Sequence, residues 1–206
     1  MAELELTCAG STLPEARDDI RRYCGLTGPD GEAAAPFRYF DTVPTHEDDL
    51  IGPGDILGAF VICPGAGRDE MVWFNGGGAA FCEQWLGSLP ADVDLADADE
   101  ATVGRICEFA ELTQGIRLDV VTAVVHHKRP RLVPCFSTSL ASRYRPLTGS
   151  DGEAAWPALV RSLRHDLTQE GNRAFLDAVC DELRAELDEP VPSRLRLVDI
   201  AVAMAA

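Results

Sequence analysis

The chain has 206 residues, 46% hydrophobic and 25% charged, enough for one well-buried soluble domain or two small ones. Thirty-four acids face eighteen bases, for a formal net charge of −16. A field of that sign repels nucleic acid and anionic membranes unless a local basic patch overrides it.

Lys128 is the only lysine, and the richness in Ala, Gly, Arg and Asp points to a GC-rich bacterial genome. The opening MAELELTCAG lacks a basic region and a long apolar core, so no secretory signal is expected. The longest apolar run, around Ile56 to Cys63, is too short to span a bilayer. Seven widely spaced cysteines form no CxxC pair. They read as reduced, mostly buried thiols of a cytoplasmic protein.

In chain order, Ser11 or Thr12 is placed to cap a helix running to about Cys24, stopped by Gly25. Residues 25–36 read as an exposed loop. FRYFD TV (37–43) is short and aromatic, a strand or an extended lead-in. A buried helix is predicted from Pro53, a residue suited to the first helical turn. GAGRDEMVWFNGGG reads as a turn-rich connection, and residues 79–88 as a short helix ended by Leu89-Pro90. An acidic loop then leads into a helix to about Leu112, and another is predicted near Leu118–His127. Leucines 159, 163 and 167 share one helical face. Phe175, Val179, Leu183 and Leu187 share another, and residues 194–204 make a last helix. The expected fold is mostly α, one multi-helix domain spanning 1–206 with room for a small N-terminal lobe at 1–52.

The run HHKRPR (126–131) concentrates positive charge in an acidic chain. One reading is an anion site built from His126, His127, Lys128, Arg129 and Arg131. The other is a helix C-terminus, where cations satisfy the dipole and pair with acids, and where Pro130 enforces the stop. The second accounts for the placement with fewer assumptions. Adjacent histidines on a helix diverge by about 100° and make no natural metal pair, and His46 and His165 are remote in sequence, so no metal site is expected. Asp199 interrupts the apolar stretch LRLVDIAVAM and needs a partner, for which Arg131, Arg164 and Arg196 are candidates. Tyr39 and Asp41 in FRYFD are core or pocket groups. The glycines of GAG (65–67) and NGGG (75–78) lack the strand–loop–helix context of a nucleotide cradle. The acids at 92, 94, 97, 99 and 100 lack calcium-loop spacing.

Residues 113–140, TQGIRLDVVTAVVHHKRPRLVPCFSTSL, resemble the helix–hairpin–helix region of the DNA-glycosylase superfamily. They resemble still more an uncharacterised, mainly actinobacterial domain-of-unknown-function family that carries a version of it. FRYFD (37–41), WPALVRSLRHDL (156–167) and RLVDIAVAM (196–204) resemble segments of the same family. In this alignment Gly115-Ile116-Arg117 falls on the hairpin Gly-Val-Gly, and Ser137 falls on the aspartate that supports glycosidic cleavage of a flipped base. Arg117 fills the space where the second glycine lets backbone approach phosphate, and Ser137 cannot carry the aspartate's charge.

The resemblance, with both features lost, implies a repurposed scaffold that does not act on DNA. The expected role is a partner or accessory subunit of a bacterial enzyme complex, with specialised metabolism as the setting, bound to another protein and having no cofactor. The alternatives are two. One is a small-molecule enzyme with a pocket made by Asp41, Arg131, Arg164 and Asp199, taking a small anionic ligand. The other is residual nucleic-acid binding through Arg117, His127, Lys128 and Arg129.

Overall fold

The computed structural model describes residues 3–7, 10–27, 32–34, 36–44, 49–113, 115–149 and 153–206. Cys8, His46 and part of the loop expected at 25–36 lie outside the described residues. Two short strands, β1 (Leu4–Leu6) and β2 (Ser11–Leu13), form an antiparallel hairpin. The helix expected from Ser11 starts later, as α1 (Ala16–Tyr23). The reason is burial: Leu4, Leu6 and Leu13 all face the core, and Gly10 takes the positive φ that turns the hairpin.

FRYFD is not a strand but a single π-helical turn, Phe37–Asp41, which seats Phe37 and Phe40 in the core. Helix α2 (Pro53–Ile62) starts where expected, but it is not a buried helix. Only Asp55, Gly58 and Ala59 are fully covered, while Leu57 is 59% and Val61 39% exposed. The stretch read as turns holds α3 (Arg68–Trp73) and a π-helical turn through Gly78. A side chain at residue 78 would collide with the Trp73 ring, which explains the last glycine of NGGG as a packing device.

The rest follows: α4 (Ala79–Leu86), α5 (Glu100–Leu112), α6 (Leu118–Lys128), α7 (Thr138–Thr148), α8 (Trp156–Thr168), α9 (Glu170–Glu186) and α10 (Arg194–Met204). Helix α7, which periodicity does not announce, is capped by Ser137 Oγ, which accepts from Leu140 N at 3.2 Å. The architecture among the described residues is thus mostly α-helical, with one minor sheet.

Helix α1 packs on α10, α2 on α6, and α5 on α8, while β1 lies against α9. Asn172 on α9 pairs with both backbone groups of Glu5, at 2.9 and 2.7 Å, which ties the hairpin to the helical body. One connected apolar cluster runs from Leu4 to Val202. No helix among the described residues is long and apolar enough to cross a membrane.

Candidate functional site

Helix α6 is buried from Val120 through Lys128, so the basic run at its end is carried inside the protein. The acid that receives it is Asp55, in the first turn of α2. Its Oδ1 lies 2.9 Å from His127 Nδ1, and its Oδ2 accepts Gly52 N–H at 2.8 Å. Lys128 Nζ meets the same Oδ2 at 2.9 Å as an ion pair, outside hydrogen-bonding angles. Burial works against the Asp55 carboxylate, but His127, Lys128 and the Gly52 amide together hold its pKa below the usual value. Arg129 reaches Asp49 Oδ1 at 2.5 Å.

His126 donates from Nδ1 to Val133 O at 2.6 Å. Burial, helped by the Arg196 cation, lowers its pKa to about 4, so it is neutral. Both imidazoles stack on Phe40, at centroid distances of 6.0 and 5.1 Å. Residues 126–129 of the run are thus spent on Asp55, Asp49 and backbone carbonyls, and Arg131 is its one half-exposed cation.

Behind Phe40 lies a second buried ionic cluster, centred on Arg196 of α10. Its Nε and Nη2 donate to the two oxygens of Asp41 at 2.8 and 3.1 Å. Nη2 also donates to Tyr23 OH at 2.8 Å, and Nη1 to Asp199 Oδ2. Tyr23 OH donates to Asp41 at 2.6 Å, and Ser137 Oγ donates to Asp199 Oδ1 at 2.7 Å. The guanidinium sits 5.0 Å from the Phe40 ring centre. Burial tends to lower the Arg196 pKa, but Asp41 and Asp199 outweigh it and raise it. Asp199 is pushed up by burial despite Arg196 and Ser137, because one cation faces two carboxylates.

Members of both clusters, His127 and Lys128 from the first and Asp41 and Arg196 from the second, line a cleft of about 740 Å³. Its lining is mixed, and Val43, Pro130, Val191 and Pro192 supply part of its apolar surface. At its rim, Asp94 is shared by two arginines from different elements. Arg131 Nε donates to Oδ1 at 2.6 Å, and Arg194 Nη1 donates to Oδ2 at 3.2 Å. The Leu95 amide donates to Arg131 O at 2.8 Å, which fixes the acidic loop against the end of α6. Arg194 also holds Asp177, at 2.6 Å from Nε. Among the described residues, five bases and three acids line the cleft, and Asp55 and Asp199 stand directly behind Lys128 and Arg196 as their partners.

The residues expected to share a pocket do so only in part. Asp41 and Arg131 line the cleft, and Asp199 stands behind it, linked through Arg196. Arg164 does not belong with them. It lies on α8, held by Glu100 and by Ala98 O at 2.7 Å. Of the three candidate partners for Asp199, Arg196 is the one in contact, three residues away on the same helix. Arg117 is engaged by Asp119 and by Pro64 O at 3.0 Å. Arg194 and Asp55 escape sequence reasoning, since nothing local marks them, and Asp94 enters it only as part of an acidic loop without calcium spacing.

The acidic loop spends its charges on structure. Asp94 serves the cleft rim, Asp97 holds Arg173 at 2.5 Å, and Asp99 caps α5 through Thr102 N at 2.7 Å. No group of three or more His, Cys, Asp or Glu that could hold a metal ion occurs among the described residues. The six described cysteines are unpaired and buried. Burial pushes Cys24, Cys63 and Cys82 up to about 12, and raises Cys180 in the cleft wall, so these thiols are poor nucleophiles.

A model of the DUF6308 family, described as a family of unknown function, matches residues 16–206. No curated protein and no solved structure matches the chain.

Proposed function

The chain belongs to the DUF6308 family, and from that premise we propose that it is a small-molecule-binding protein that does not act on DNA, with the cleft beside residues 126–131 as its site. One observation carries this reading: a cleft of about 740 Å³ with apolar surface on one side holds at its rim Arg131, whose side chain is 52% exposed and spends only Nε on Asp94. A half-free guanidinium beside apolar surface suits a small anion with an apolar body, while the net charge of −16 repels extended polyanions.

Residues 113–140 read as a degenerate helix–hairpin–helix. Gly115 keeps the positive φ of a tight turn, but the Arg117 side chain is committed to Asp119 and Pro64. Ser137 spends its hydroxyl on Asp199 and on the cap of α7. His127, Lys128 and Arg129 are buried. This leaves phosphate-driven DNA binding with Arg131 as the one half-exposed cation of the run, too few for a phosphate-tracking surface. The buried, unpaired thiols suit the cytoplasm.

The test is thermal denaturation of the purified protein against a panel of small organic anions and their uncharged isosteres. A ligand at a hundred times its Kd stabilises by about 2.7 kcal/mol. Saturable stabilisation by anions, lost in Arg131→Ala, is the expected result. Equal and unsaturable responses to anions and neutral isosteres would refute the reading.

A second reading, an accessory subunit of a bacterial enzyme complex in specialised metabolism, is favoured by a separate observation. Helix α2 is apolar on nearly all sides, yet it leaves Leu57 and Val61, four residues apart on one face, largely uncovered. Isolation of the tagged protein from its host with a stoichiometric second chain, released by Leu57→Lys, would support it. A solitary chain would count against it.

A further inference from the structure

Resting on the cleft as a binding site, we propose that Asp94 is an internal stand-in for the ligand's own acid group, so that the cleft selects small organic carboxylates with an apolar body.

The argument starts from the grip on Asp94. Arg131, just past α6, donates to one carboxylate oxygen, and Arg194, in the first turn of α10, donates to the other. Two cations from separate elements thus enclose one carboxylate at the cleft mouth, in the geometry a free carboxylate would take. The grip is incomplete. Only Nε of Arg131 is used, and its two terminal nitrogens meet no acceptor among the described residues. The Arg131 side chain is 52% exposed, whereas that of Asp94 is 18% exposed. Both line the cleft, and the cation is the more open of the two to solvent.

Beyond this polar mouth, Val43, Val191 and Pro192 offer an apolar wall and Phe40 the floor. A carboxylate entering the mouth finds the unused face of Arg131, while its hydrocarbon part displaces water from that wall. Asp94 competes for the same cations and adds a like charge nearby. It therefore lowers affinity and keeps the two arginines paired when the cleft is free. The Leu95–Arg131 backbone bond positions Asp94 independently of its side chain, so removing the carboxylate leaves the loop anchored.

The experiment measures binding of benzoate, phenyl phosphate and benzamide to the full chain by titration calorimetry. The proteins are the parent, Asp94→Asn, Asp94→Ala and Arg131→Gln, each checked for its fold by circular dichroism. Releasing an exposed ion pair is worth about a fivefold change in affinity, and loss of the like charge adds to it. Benzoate is expected to bind about five- to tenfold more tightly to both Asp94 variants and to lose binding in Arg131→Gln. Benzoate binding seen only in the Asp94 variants also supports the proposal. Unchanged or weaker benzoate binding in both Asp94 variants overturns it but leaves the cleft as a binding site if the parent binds. A gain confined to phenyl phosphate overturns the carboxylate assignment. No binding of any compound to any variant overturns both this proposal and the reading it rests on.

Discussion

Two arginine–aspartate arrangements stand on either side of the Phe40 ring and the cleft. Around Arg196 every guanidinium nitrogen is engaged, by Asp41, Asp199 and Tyr23, and the side chains of Arg196 and both acids are 5–6% exposed. Around Asp94 the grip is partial and half in water. The chemical groups are the same, and what separates them is burial and saturation. A saturated, dry ion cluster is costly to open and suits a clamp, here joining α1, the 37–41 turn and α10. An unsaturated, wet one is cheap to open and suits exchange with a ligand.

The largest expected effect comes from breaking the dry cluster. Arg196→Met would leave Asp41 and Asp199 buried without a cation, which costs about 3–5 kcal/mol. Chemical denaturation at pH 7 should show that loss, and a change below about 1 kcal/mol would mean that water already reaches the cluster.

A second test exploits the neutral His126 between the two regions. Its folded pKa, about 4, lies below the 6.5 of a histidine in an unfolded chain. The unfolded chain therefore binds the proton first as pH falls. The stabilisation is full above pH 6.5 and is lost as pH drops toward 4, by about 3 kcal/mol in all. His126→Asn keeps a donor for Val133 O but has nothing to titrate. Its stability should fall less steeply between pH 6.5 and 4 than the parent's, and parallel curves would remove His126 as the cause.

How far the sequence foretells this contrast depends on range. Helices α8, α9 and α10 are legible because apolar residues recur at three- and four-residue spacing over two turns or more. Strands β1 and β2 are three residues each, too short for alternation to register, and Ser11 and Thr12 imitate a helix cap. FRYFD is ambiguous for the same reason: a single turn of aromatic residues has no period. Asp41, Arg131 and Asp199 stood out as polar groups beside apolar stretches. The pairing of Asp41 with Arg196, however, spans 155 positions, which no local pattern encodes. Arg164 was misleading because its helix carries charge on an outer face that looks the same, in sequence, as a pocket wall.

A smaller effect is expected at the join between the dry cluster and α7. Ser137 both caps that helix and donates to Asp199. Ser137→Ala should cost about 1–2 kcal/mol, the usual range for a lost cap with a buried acceptor behind it. Ser137→Asp should cost more than alanine, because it sets a second carboxylate against Asp199, whose charge burial already disfavours.

The smallest effect on stability should come from Arg131→Ala, at the wet end of the comparison. Its ion pair is half-exposed, and Asp94 keeps Arg194 as a partner when Arg131 is gone. The loop stays anchored by a bond from Leu95 N to the backbone of residue 131, which any side chain there leaves intact. Exposed pairs of this kind contribute about 0–1 kcal/mol. Arg131→Ala should therefore unfold within about 1 kcal/mol of the parent, while Arg196→Met falls several times further in the same denaturation series. Equal losses for the two would show that the rim, too, is part of the clamp, and the difference in burial would then not separate a structural arginine from one free to meet a ligand.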